Sequence, residues 1–236
     1  MSEASIFQEI RNRREKVASI LKGTKLSAEK LISSFEFEIR KSQKLIDCNP
    51  ASVIKCLFEC ANLALDPSNG KVYLIPVNGN CQLMVGCNGW ITLLWRSKKV
   101  KNVYAYTVKE EDEFDFSLGN NLSVIHKPKI NSKSNIIASY AIVKLEDGEL
   151  QIKVSDILEI NQSREISKSA KSEHSPWTMY FEEMAKVVPL RKIAKAIALP
   201  IQEIETTVLE EKNIIHHETL APGSDLQPSQ INGTAP

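Results

Sequence analysis

Glu110, Glu111, Asp112, Glu113 and Asp115 crowd into one short acidic run. Clustered carboxylates are what a two-metal phosphodiester-cleaving site needs, because paired cations must clamp the attacking and leaving oxygens. Adjacent positions in a strand or turn point in different directions, so only alternate members could converge on one metal pair. The run therefore reads first as a solvated loop, or as a charged patch for the basic segment of a neighbouring subunit. A metal-dependent nuclease is the enzymatic alternative.

Cys56 and Cys60 stand four apart on a helical pattern and could share a metal. His126, His174, His216 and His217 fall in unrelated segments without ligand spacing, so the thiols read as small buried apolar groups. Asn69-Gly70-Lys71 is followed by Val72 where a phosphate-binding loop needs Ser or Thr for Mg²⁺, so ATP hydrolysis is not expected. Gly-x-Ser-x-Gly is absent. No catalytic residue and no metal ligand is assigned, and the chain is not expected to be an enzyme.

What remains is chemistry for a polyanion. Arg96, Lys98, Lys99 and Lys101 form one acid-free basic group, and Lys186, Arg191, Lys192 and Lys195 form another. Tyr73, Trp90, Trp95, Tyr104, Tyr106, Tyr140, Trp177 and Tyr180 are interleaved with them. Single strands are held by cations that track phosphates and by flat rings that stack on bases. Trp95, Tyr140 and Trp177 are expected in the core instead. The net charge of +1 hides an asymmetry, since 30 Lys and Arg face 29 Asp and Glu over the whole chain. Residues 203–236 hold six acids against Lys212 alone, which leaves 29 bases and 23 acids in a basic body.

The elements that must position these groups follow from periodicity. Residues 1–47 read as a helical arm, with Ser27 as an N-cap before Leu31, Ile32, Phe35 and Ile39. Asn49-Pro50 starts a core-facing helix through Val53, Ile54, Leu57, Phe58 and Ala61. KVYLIPV and CQLMVG flank Asn78-Gly79, the pattern of a tight hairpin. Asn88 to Lys99 returns to helix, with Ile91, Leu94 and Trp95 on its buried face. Val100 to Val154 reads as a mostly antiparallel sheet. Ser155-Asp156 caps another helix, Ser163 to Ser175 reads as an exposed loop, and Ser175-Pro176 opens the last long helix, which Pro189 should kink or restart. Leu190, Ile193, Ala194 and Ile197 form the inner face of that helix and Arg191, Lys192 and Lys195 the solvent face. The fold class is α+β: N-terminal helices, a β-hairpin, a helix, and a mostly antiparallel sheet backed by a long basic C-terminal helix.

Three regions are expected: an arm over 1–47, a core over 48–204 and a flexible acidic tail over 205–236. A hydrophobic share of 42% with 25% charged residues is that of an ordinary soluble globular chain. No window suits a membrane span or secretory signal, and five cysteines without framework spacing read as reduced thiols. A cytoplasmic protein is expected.

In order, NPASVIKCLFECANLALDP, KVYLIPV, CQLMVGCNGWITLLWRS, DEFDF, HKP, IIASYAIVKLEDG and PWTMYFEEMAK resemble the RecT family of phage-type single-strand DNA annealing proteins. The likeness spans roughly 48–200, with YLIP and G-x-x-G-x-I-x-L-x-x-R-S its most specific parts. One departure is that Met184-Ala185 runs into Lys186-Val187-Val188, where members of that family often carry Lys-Lys-Thr.

The resemblance implies ATP-independent annealing of complementary strands in homologous recombination, by an oligomeric ring or helical filament working with a RecE-type partner exonuclease in a bacterial or prophage setting. It implies a groove for single-stranded DNA and the annealed duplex, lined by the hairpin, the Arg-Ser segment and the basic C-terminal helix. Arg96, Lys186, Arg191, Lys192 and Lys195 thereby inherit phosphate contacts. Lys98, Lys99, Lys101 and Tyr73 complete the candidate DNA-binding set, with His126 and Lys127 of HKP. No cofactor is required, although Mg²⁺ could screen repulsion between two strands. The N-terminal helices are the candidate for subunit contacts, and the tail for the groove of an empty subunit or for other replication proteins, such as the host single-strand binding protein. A single-strand binder that does not anneal is the other alternative.

Overall fold

A computed structural model describes residues 3–167, 169–170 and 175–197. The acidic tail, His174, His216 and His217 lie outside the described residues.

The N-terminal segment forms α1 (Glu3–Asn12), α2 (Arg14–Ile20), α3 (Ala28–Arg40) and the short α4 (Gln43–Ile46). Ser27 caps α3 by accepting from the Lys30 amide, as its position before the apolar run requires. The expected arm packs back on the chain. Ile6, Phe7, Ile10, Val17, Leu31, Phe35 and Ile39 are buried in the same apolar cluster as residues of the central helices. Arg11 on α1 donates to Glu36 on α3 at 2.9 Å, and the Lys16 ammonium sits 4.6 Å from the Phe58 ring centroid.

Helix α5 (Pro50–Leu63) starts where Asn49 accepts from the Ala51 amide and Pro50 occupies the first turn. It supports the hairpin of β1 (Val72–Val77) and β2 (Asn80–Val85), whose register pairs Val72 with Val85 and Val77 with Asn80. Positive φ at both Asn78 (48°) and Gly79 (74°) gives the turn that follows strand twist. Three bonds seat the hairpin on α5. The Asn49 amide donates to the Gly79 carbonyl at 2.7 Å, the Cys81 amide to the Ser52 hydroxyl at 2.8 Å, and the Cys56 thiol to the Cys81 carbonyl at 3.3 Å. All five cysteines are free and buried.

After α6 (Cys87–Arg96), the β-rich region divides into two antiparallel ladders instead of one sheet. Strands β3 (Val100–Lys109), β6 (Ile136–Leu145) and β7 (Leu150–Asp156) pair in the order β3-β6-β7. The hairpin of β4 (Glu113–Ser117) and β5 (Ser123–Lys127) pairs only with itself. Its Phe114 and Val124 cover Val108, Ala138 and Tyr140 on one face of the main sheet, making a second small core.

Helix α7 (Ile157–Ile166) follows β7, capped by Asp156. The segment expected as an exposed loop from Ser163 is therefore helical at its start, and Ser169 and Ser175 within it are buried. Ser175 caps α8 (Pro176–Met179), and α9 (Phe181–Ala196) runs on without a break at Pro189. The interruption falls at Tyr180 instead, whose φ of −138° is not helical. Helix α9 lies on all three strands of the main sheet and also against α6 and α7. Met184, Ala185, Val187, Val188, Leu190, Ile193 and Ala194 are all buried, so its cations emerge at the margins and not from a free basic face.

Candidate nucleic-acid interface

The turn from α6 into β3 concentrates the first basic group. Cys87, Trp90 and Leu94 form the buried stripe of α6, and Trp95, expected in the core, is 58% exposed. The helical stripe is one position out of phase with the expected Ile91, Leu94, Trp95 set. Arg96 turns inward: its two terminal nitrogens donate to the carbonyls of Leu63 and Ala64 at 2.6 and 2.7 Å. These are orphan carbonyls at the end of α5, where a cation also suits the helix dipole. Burial pushes the Arg96 pKa down, against the opposing pull of nearby Asp66. Asp66 is itself buried, accepting from Lys71 and Ser68, each at 2.6 Å.

Beyond the helix, Lys98 takes a left-handed φ of 57° and the chain enters β3. Lys98, Lys99 and Lys101 are exposed, and none of their ammonium groups meets a carboxylate among the described residues. With Trp95 they form a patch of unpaired cations beside an exposed indole.

The second basic group is differently placed. Lys186 pairs with Glu183 one turn back, and Lys192 pairs with Glu159 of α7. Arg191 is half-buried and Lys195 exposed, and each has polar partners of its own. Lys127 bonds Glu113 across the β4–β5 ladder at 2.8 Å, both side chains well exposed. Tyr73 stacks on Tyr180 with ring centroids 5.8 Å apart, joining the β1–β2 hairpin to the α8–α9 junction. Burial raises the Tyr73 hydroxyl pKa. The candidate set is thus spread over several places: the α6–β3 turn, the edges and end of α9, the hairpin base and β5.

The glycines of the Gly86-x-x-Gly89 motif have a packing role. The Gly86 amide donates to the Lys71 carbonyl at 2.8 Å, and Asn88 Nδ2 to the Asn69 carbonyl at 2.6 Å. A Cβ on Gly89 would fall far inside contact distance of the Lys71 oxygen, and one on Gly86 would strike the Gly70 oxygen. Next to this contact, burial pushes the Cys87 thiol up to about 11, between Lys186 and Glu183 of α9. Backbone approach in this motif therefore sets how α6 meets α9.

The acidic run does not converge. Glu111 binds Lys129 and Ser132, Glu113 binds Lys127, and the Asp115 carboxylate accepts from the next amide. Asp112 is buried and accepts from the amides of Lys109 and Lys129 at 2.8 and 2.9 Å. It also meets His126 Nε2 at 3.1 Å, while His126 Nδ1 meets the Tyr140 hydroxyl at 3.1 Å. Among the described residues, no three His, Cys, Asp or Glu side chains are grouped to hold a metal ion. The Asp112–His126–Tyr140 series, which pins the β4–β5 hairpin to β6, is not apparent from sequence spacing, although HKP and the acidic run each carry one end of it.

Comparison with known proteins agrees with the motif order. The RecT family model matches residues 30–221. The chain belongs to the RecT family. Protein RecT of Escherichia coli (strain K12) is 32% identical over 197 residues, covering 79% of this chain and 72% of that protein. RecT-family membership places the chain among the single-strand annealing proteins of DNA recombination. The match takes in both basic groups, the hairpin and the Gly86-x-x-Gly89 contact. It begins inside α3, so α1 and α2 precede it. No helix among the described residues is long and apolar enough to cross a membrane.

Proposed function

We propose that the chain binds single-stranded DNA through its phosphates and anneals complementary strands without nucleotide hydrolysis. The observation that carries this reading is the unpaired trio Lys98, Lys99 and Lys101 beside the exposed Trp95. Cations without protein partners release counterions from a polynucleotide at no cost in broken ion pairs, and the sequence-independent attraction leaves base pairing to select the partner strand. Arg191 and Lys195 at the far end of α9 extend the phosphate path. Several subunits side by side hold one strand in an extended array against which a second strand tests pairing. The strands come from a RecE-type exonuclease, in the cytoplasm of a bacterial host where the host single-strand binding protein competes for them. No cofactor takes part in the chemistry, and Mg²⁺ acts only by screening strand against strand.

The test is the annealing rate of two labelled complementary oligonucleotides without ATP, for the unaltered chain, for Lys98→Ala/Lys99→Ala/Lys101→Ala and for Arg191→Ala/Lys195→Ala. Acceleration that falls in the triple variant while thermal unfolding is unchanged supports the reading. Binding without acceleration by the unaltered chain makes it a protective single-strand binder, and no binding overturns the assignment of DNA as ligand.

A further inference from the structure

The main sheet has one face on α9 and one face that is only partly covered. Along β3, Val103 and Ala105 belong to the core shared with α9, and the Thr107 hydroxyl donates to Glu182 of α9 at 2.8 Å. Side chains alternate in a strand, so Tyr104 and Tyr106 point the other way. Register sets Tyr106 beside Tyr140 and Tyr104 beside Ile142. The β4–β5 hairpin covers the far end of this face at Val108, Ala138 and Tyr140, and stops short of the tyrosines. Tyr104 is 46% and Tyr106 50% exposed.

The exposed rings end a longer series. Tyr106 lies 5.7 Å from Tyr140, Tyr140 lies 5.4 Å from Phe114, and Phe114 lies 5.5 Å from Phe116, centroid to centroid. The buried middle of the series fixes Tyr106 from one side and leaves the other open. Cations flank the same stretch: Lys101 is exposed on β3 and Lys144 on β6, neither with a carboxylate partner among the described residues.

We propose that Tyr104 and Tyr106 form a base-stacking platform for single-stranded DNA on the sheet face away from α9, with Lys101 and Lys144 holding the flanking phosphates. The proposal rests on the single-strand-binding reading above and adds a surface on the opposite side of the sheet from the α9 cations. Residues two apart on a strand are separated by roughly 6.6 Å. That is about twice the 3.4 Å rise per nucleotide of a stacked strand, so every second base meets a ring. Flat rings with unpaired cations suit bases better than a protein partner. Ile152, the other large apolar group in the Tyr104 row, is already buried and offers little further apolar area.

The experiment measures equilibrium binding of the full chain to a labelled oligo-dT and to an abasic strand of the same length. Base stacking is worth about 1–3 kcal/mol per base, so Tyr104→Ala/Tyr106→Ala should weaken oligo-dT binding roughly tenfold or more. Abasic binding should stay within about twofold, since phosphate contacts are untouched. Tyr104→Phe/Tyr106→Phe should bind like the unaltered chain, which separates ring loss from misfolding. Photocrosslinking of a 5-iododeoxyuridine oligonucleotide to the unaltered chain should label the β3 peptide carrying both tyrosines. Equal loss on both strands, unchanged oligo-dT affinity in the alanine variant, or crosslinks confined to other peptides overturns the platform while leaving strand binding in place. A shift in sedimentation without a change in base preference also overturns it and makes the face a subunit contact. Failure of the unaltered chain to bind either strand overturns the underlying reading as well.

Discussion

The hydroxyl of Ser139 on β6 donates to the carbonyl of Ala185 on α9 at 2.8 Å. Ala185 is four residues before Pro189, and its carbonyl is the one that a proline in a helix leaves without its amide partner. Both Ser139 and Ala185 are fully buried. The sheet thus supplies the bond that the helix lacks, which is how α9 passes Pro189 without ending.

Ser139→Ala should therefore cost about 1–3 kcal/mol, the usual penalty for a buried carbonyl left unsatisfied. Pro189→Ala restores an amide that can bond Ala185, so the double variant should lose clearly less than the two single changes summed. Urea unfolding of all four proteins measures this coupling directly. Simple additivity would show that the Ser139 bond and the missing amide are independent.

Local signals carried most of the fold into the sequence. Asn78-Gly79 and Asn49-Pro50 each specify backbone geometry within a few residues, and the structure has the hairpin and helix they imply. The bond that rescues Pro189 joins residues 46 apart, beyond the reach of any helical pattern. Arg96 shows the same limit within the candidate site. Its basic character was legible, but its use as a cap depends on where α5 ends, 32 and 33 residues earlier in the chain. Trp95 and Trp90 were exchanged because an i, i+3, i+4 stripe fits α6 in two neighbouring phases, and only packing against its neighbours chooses one.

Gly89→Ala tests the contact between the Asn69–Lys71 segment and the start of α6. The added methyl would meet a backbone carbonyl, which cannot rotate away, so the two segments must separate. Overpacking of this kind costs about 1–3 kcal/mol and occasionally more. A thermal melt should show the loss, while Gly148→Ala, at a turn where nothing lies within 4 Å, should show only the smaller strain of its φ of 93°. Equal losses at the two positions would mean that the Gly89 contact is not tight.

Asp112 makes stability depend on acid. Burial alone would raise its pKa, but the amides of Lys109 and Lys129 together with His126 outweigh that and hold it below the usual carboxylate value. A carboxyl depressed in the folded state binds protons more readily when unfolded. Its contribution is full above the ordinary Asp pKa of about 3.9 and is lost as pH falls through the depressed folded value. The stability gap between the unaltered chain and Asp112→Asn, from urea melts, should be widest near neutrality and narrow below about pH 4. A gap independent of pH would show that the carboxylate charge is not what holds the β4–β5 hairpin to β6.

Salt dependence distinguishes the two basic groups. Each phosphate neutralised on a single strand contributes about 0.7 to the slope of log K against log salt. Lys98, Lys99 and Lys101 have no carboxylate to leave, so replacing all three with alanine should flatten the slope by about 2. Lys192 is paired with Glu159 and must exchange one anion for another, so Lys192→Ala should change the slope by well under one phosphate. Titrations of labelled oligo-dT across a salt series give both slopes. A larger effect at Lys192 than at the trio would mean that the Glu159 pair opens on binding, and would move the principal phosphate path from the α6–β3 turn to α9.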